Sequence, residues 1–178
     1  QLKDKLEKVR LTRVQGRAAR QKASIPTVSL VGYTNAGKST LFNILAESDV
    51  YAADQLFATL DPTLRRLDWD GIGALVLADT VGFVRNLAHA LVESFKATLE
   101  ETIEATLLLH VIDSSSPDKL EQIEAVEKVL KEIGTDVPTL RVYNKIDQSG
   151  EEPKIIYSKP HLPDRVYVSA HSGQGLDL

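Results

Sequence analysis

One stretch constrains this chain of 178 residues more than any other: Gly32-Tyr33-Thr34-Asn35-Ala36-Gly37-Lys38-Ser39. It matches G-x-x-x-x-G-K-[ST]. It follows the apolar run TVSLVG and precedes KSTLFNILAES, where Leu41, Ile44 and Leu45 share a helical face. A strand, a glycine-bounded loop and a helix in that order make a cradle for phosphate. The glycines let the backbone wrap, while loop N–H groups and the helix N-terminus supply positive potential. Lys38 would reach the β and γ oxygens of a nucleotide, and the Ser39 hydroxyl would take Mg²⁺. Thr40 completes the phosphate-binding stretch.

Around this loop the pattern alternates between strands and helices. Six strands are read, as TVSLVG, TLRRLDWD, GALVLAD, TLLLHVID, PTLRVYN and RVYVSA. The second and third flank Gly71 and read as an antiparallel pair. Ser116-Pro117-Asp118 reads as a cap opening a helix that runs through Ile133 and closes at Gly134. The stretch 149–164 is broken by prolines and yields no element. The expectation is an α/β fold of the P-loop NTPase class. It has a six-stranded, mostly parallel sheet with one antiparallel strand, helices on both faces and an added N-terminal helix. In such sheets ligands sit beyond the carboxyl ends of the strands.

Composition removes several classes. There is no cysteine, so no disulfide framework and no thiolate metal site, which fits a cytoplasmic protein. No apolar stretch is long enough to span a membrane. With no methionine, the chain is expected to be part of a longer protein. Its net charge of −4 is uneven: residues 1–22 carry eight lysines and arginines against Asp4 and Glu7. Residues 1–24 read as a basic helix, with Arg13, Arg17 and Arg20 on one face, and 25–178 as the nucleotide-binding domain. That face either meets a polyanion or is simply solvated.

Three further motifs fall at strand ends. Asp79-Thr80-Val81-Gly82 reads D-x-x-G, with Asp79 holding a Mg²⁺-bound water and the Gly82 N–H meeting a γ-phosphate. The next residue is Phe83, where many GTPases carry a water-orienting glutamine. Asn144-Lys145-Ile146-Asp147 follows TLRVY. The Asp147 carboxylate can accept the ring N–H and exocyclic amine of guanine, a pair that adenine lacks. Asn144 would tie nearby loops together, and the stem of Lys145 would cover the base. In Ser169-Ala170-His171 the Ala170 N–H is placed to meet the guanine carbonyl. In the long loop before the second strand, Phe57-Ala58-Thr59-Leu60-Asp61 offers Thr59 as a second Mg²⁺ ligand, with Thr63 the alternative. Loops 50–63 and 80–92 would order around the γ-phosphate. His110 reads as a core histidine, Trp69 as packing, and Glu93, Glu100, Glu101 and Glu104 as a solvated helix face.

VGYTNAGKSTLFN, DQLFATLDPT, DTVGFV, LLLHVIDSS and NKID together closely resemble the HflX family of translation-factor-related GTPases. The resemblance covers residues 25–178. It implies a G domain that stops before its last helix, preceded by the end of a helical linker. It also implies a ribosome-associated GTPase acting on the large subunit and its RNA, splitting or rescuing stalled ribosomes. GTPases with a P-loop asparagine and a hydrophobic residue after D-x-x-G include potassium-activated members, which makes Asn35 a candidate K⁺ ligand. The alternative is that the ribosome supplies the catalytic group. Two other readings stand beside this one. One is a nucleotide-gated ribosome or RNA clamp whose hydrolysis is incidental. The other is an Obg-like or tRNA-modifying GTPase.

Overall fold

The computed structural model describes residues 25–47, 63–83 and 102–178, together with positions 11, 12, 15, 16 and 18, which are helical. Strand β1 (Thr27–Gly32) lies mid-sheet, parallel to both neighbours, β3 (Gly73–Asp79) and β4 (Leu107–Asp113). Its side chains alternate between faces, so Leu30 and Val31 enter different cores. Leu30 joins Leu41 and Phe42 of helix α1 (Lys38–Leu45), along with Leu75, Leu77, Val111 and Val142. Val31 joins Phe83, Leu108 and, from helix α2 (Lys119–Glu132), Val126, Val129 and Leu130. Burying each such aliphatic side chain is worth roughly 1.5–3 kcal/mol, and here it fixes both helices against the strand that carries the glycine-rich loop.

The sheet has seven strands, where six were expected, in the order β2 (Thr63–Trp69), β3, β1, β4, β5 (Thr139–Asn144), β7 (Leu162–Tyr167), β6 (Lys154–Lys159). Besides the expected antiparallel pair of β2 with β3, a second closes the other edge. There β6 runs antiparallel to β7. The extra strand lies within the proline-broken stretch 149–164. Pro153 precedes β6, Pro160 sits in the turn, and Pro163 falls in a strand with an irregular register. Edge pairing tolerates such residues because fewer N–H groups are committed to the ladder. Between β5 and β6 the chain forms only the short helix α3 (Ile146–Ser149).

Helix α2 starts two residues later than its sequence suggests. Its N-cap is Asp118, with no side-chain cap bond, and the Ser116 hydroxyl instead accepts from Gln122 Nε2 at 3.0 Å. Its end agrees with expectation, at Ile133 followed by Gly134. His110 is buried, as a core histidine should be, and Glu104 is exposed. Trp69 is 45% exposed at the β2–β3 turn and packs less than expected. Among the described residues no helix is long and apolar enough to cross a membrane.

Candidate functional site

The carboxyl ends of β1, β3, β4, β5 and β7 bring the sequence motifs to one side of the sheet, as parallel order requires. Gly32 to Ser39 leaves β1 and enters α1. Asn35 takes a left-handed φ of 60°, a conformation that asparagine tolerates better than most residues. Gly37, at φ 94°, admits no side chain, because a Cβ there would meet Asn144 Nδ2 at 2.2 Å. Lys38 is buried, and its Nζ donates to Tyr33 O at 3.0 Å. Loss of hydration pulls its ammonium down to a pKa of about 8, opposed by the charge of Asp79.

The D-x-x-G segment closes on this loop. Ser39 Oγ donates to Asp79 Oδ2 at 2.6 Å, and the other carboxylate oxygen of Asp79 is sealed from solvent. Thr80 Oγ1 donates to Leu30 O at 2.6 Å, pinning the segment to β1. Gly82 passes so close that a Cβ would lie 2.9 Å from Thr34 Cα and 3.1 Å from Lys38 Nζ. Phe83 answers the question raised by the missing glutamine. Its N–H donates to Gly32 O at 3.0 Å and its O accepts from Thr34 N at 2.8 Å. Its ring lies in the apolar cluster with Val31, Leu108 and Val126, only 4% exposed. The ring is packed in this core, beside Tyr33 of the loop, and carries no hydrogen-bonding group.

The Asn-Lys-x-Asp segment is knitted to the glycine-rich loop. Asn144 Nδ2 donates to Ala36 O at 3.0 Å, and Asn144 Oδ1 accepts from Ala170 N at 2.9 Å. Lys145 Nζ donates to Asn35 O at 2.7 Å, laying its stem across the mouth of the loop. Asp147 is exposed, and its Oδ1 accepts from Ser169 Oγ at 2.6 Å, which itself accepts from Ser172 N at 3.0 Å. His171 is exposed beside them. Thr63 opens β2 opposite Asp79. Phe57, Ala58, Thr59, Leu60 and Asp61, and the arginines of the basic helix, lie outside the described residues.

Sequence reasoning missed Asp113, whose Oδ2 lies 2.6 Å from Lys145 Nζ. The signal was present: LLLHVID ends in an aspartate, as ALVLAD does at Asp79. The donors near the loop suit Mg²⁺, since Ser39 and Asp79 offer hard hydroxyl and carboxylate oxygens beside the lysine that would meet phosphate.

A family model described as "50S ribosome-binding GTPase" matches residues 27–145. A protein named GTPase HflX from Escherichia coli (strain K12) is 59% identical over 178 residues, covering 99% of this chain but 42% of that protein. The chain therefore spans less than half the length of that curated relative. Among solved structures, a GTP-binding protein from the hyperthermophilic archaeon Sulfolobus solfataricus in complex with GDP is 28% identical. Its TM-score is 0.64, over 97% of this chain and 55% of that one. Era in complex with MgGDPNP and nucleotides 1506–1542 of 16S ribosomal RNA is 27% identical. Its TM-score is 0.62, over 86% of this chain and 53% of that one.

Proposed function

This chain belongs to the family of 50S ribosome-binding GTPases and resembles its HflX members, and on that premise we propose that it is the Mg²⁺-dependent switch domain of a cytoplasmic, ribosome-acting GTP hydrolase. The observation that carries the reading is the pair of Asn144 hydrogen bonds, which join the phosphate loop to both loops that would face guanine. A nucleotide spanning the site would meet phosphate donors and base acceptors already held in register, so little ordering is left for binding itself.

Each residue then has a task. Backbone N–H groups of Asn35 and of Gly37 to Ser39 and the Lys38 ammonium would hold the β and γ phosphates. Asp147 would accept the guanine edge, with Ser169 fixing its rotamer. The Gly82 N–H would report the γ-phosphate. Ser39, Thr59 and, through water, Asp79 would hold Mg²⁺, which when bound neutralises charge on the phosphate oxygens. With Phe83 packed in the core, the attacking water must be positioned by other groups. Asn35, exposed at the loop, would be the side-chain ligand of a K⁺ ion beside the phosphates, or the large ribosomal subunit would supply the missing group. The buried Phe83 also favours a second reading, a nucleotide-gated ribosome clamp with incidental hydrolysis.

The partner proposed is the large subunit, with its RNA phosphates meeting Arg13, Arg17 and Arg20. The outcome would be splitting or rescue of stalled ribosomes. Co-sedimentation with separated subunits should retain the protein with GTP analogue and release it with GDP. Loss of binding with rising salt should flatten when the three arginines are replaced. Single-turnover phosphate release, with and without large subunits and in matched potassium and sodium buffers, separates hydrolase from clamp. Hydrolysis that ignores both cation and subunit would remove the proposed catalytic arrangement.

A further inference from the structure

The charge that governs Lys145 belongs to a residue given no role above, although it lies in the LLLHVIDSS stretch. Asp113 ends β4, which runs between the strand feeding the phosphate loop and the strand ending at Asn144. Its Oδ2 lies 2.6 Å from Lys145 Nζ, and the same ammonium donates to Asn35 O at 2.7 Å. Its Oδ1 accepts from Ser115 N at 2.9 Å and from Ser115 Oγ at 2.5 Å. The carboxylate is thus gripped on one oxygen by its own strand end and holds the lysine with the other. Burial alone would raise the Asp113 carboxyl, but hydrogen bonds from Lys145 and Ser115 overcome it and keep the group below its ordinary pKa, hence ionised.

Exposed ion pairs contribute little, because water and side-chain entropy cancel them. This pair differs in two respects. The side chains of Lys145 and Asp113 are only 24% and 17% exposed, and the ammonium has a second, fixed partner in a loop carbonyl. Both ends of the link also sit in left-handed backbone, with φ 64° at Lys145 and 60° at Asn35. A non-glycine residue keeps that conformation only where its surroundings over-determine it.

We propose that Asp113 is a positioning residue for guanine nucleotide: it fixes the Lys145 ammonium on the Asn35 carbonyl, which sets the lysine stem for the base and the loop for the phosphates. The inference rests on the nucleotide reading given above. Without the carboxylate, the flexible lysine stem regains its rotamers and its strongly hydrated ammonium turns to water. Asn35 O then loses its donor, and the base loses its preformed cover.

The test is a double-mutant cycle on the full-length protein, read as the rate of release of fluorescently labelled GDP. Asp113→Asn keeps size and polarity but removes the charge, and should speed release about tenfold. In a Lys145→Ala background the same change should do almost nothing, since its route of action is gone. Ser115→Ala, which removes the hydroxyl bond to Oδ1 but keeps the backbone N–H bond, should show a smaller acceleration with the same dependence on Lys145, and it carries the test if Asp113→Asn does not fold. Equal acceleration in both backgrounds would make Asp113 a general structural residue and overturn the proposal, as would unchanged release. Failure of the wild-type protein to bind GDP at all would instead overturn the nucleotide reading.

Discussion

Asn144→Ala is the sharpest test of the link between phosphate and base sides. Asn144 is 2% exposed, and its amide makes two hydrogen bonds, to Ala36 O at 3.0 Å and from Ala170 N at 2.9 Å. The backbones it serves belong to residues that are themselves 1% and 3% exposed. Alanine would leave one carbonyl and one N–H without a partner away from water. Each stranded group costs about 1–3 kcal/mol. The two loops relax together, so the costs do not simply add, and a loss of about 3 kcal/mol is expected. The assay is urea denaturation of the nucleotide-free protein, following the midpoint at unchanged slope. GDP affinity should fall in the same variant, because Ala170 and the phosphate loop lose their common anchor. A stability loss below about 1 kcal/mol would refute the reasoning, since it would mean that water replaces the amide and the loops are not joined through it.

Three further outcomes follow from the same geometry. Phe83→Gln places an amide in the cluster of Val31, Leu108 and Val126, and should destabilise by about 2–4 kcal/mol without raising GTP hydrolysis; a tenfold faster turnover would contradict the buried placement. Gly37→Ala should abolish nucleotide binding while the sheet core survives, because the new Cβ meets Asn144 Nδ2 at 2.2 Å; calorimetric titration with GDP reads the first and circular dichroism the second. His110 is held down to a pKa of about 4, chiefly by burial, with Arg141 and Lys38 adding to the effect and Glu127 opposing it. The unfolded chain therefore binds a proton that the folded one refuses. Stability is fully present above about pH 6.5 and is lost as pH falls toward 4, by about 3 kcal/mol in all. His110→Leu should flatten that limb of the stability profile, and an unchanged limb would reject the assignment.

Much of the fold and of the candidate site was legible in the sequence because its motifs are local. A glycine-rich turn between strand and helix, a D-x-x-G and an Asn-Lys-x-Asp each fall at a strand end, so parallel topology brings them together. The burial of Phe83 was also expected, since a residue with no hydrogen-bonding group gains only by packing. The β6 edge strand was hidden, because Pro153 and Pro160 bracket it and its residues are mostly exposed, so the alternation that marks a half-buried strand is missing. Asp113 was visible as a strand-end aspartate, but its contact was not. Its partner, Lys145, is 32 residues away, and the two meet through strand order rather than through a motif. The later start of α2 reflects two competing polar groups, Ser116 and Asp118, neither of which caps through its side chain.

The two outer strands have a consequence for how this chain behaves in company. A sheet rim with unpaired backbone groups invites another chain to add itself, the first step toward fibrous aggregates. Here the β2 rim carries exposed Arg65, Arg66 and Asp68, and the β6 rim is flanked by exposed Lys154 and Lys159. The β6 rim is also broken by register shifts on both sides of Tyr157, which bend the strand out of the flat form that stacking requires. Exposed Ile156 and Tyr157 would otherwise make this segment adhesive. The charges and the kink together act as guards, so the rim can present apolar side chains to water without recruiting copies of itself.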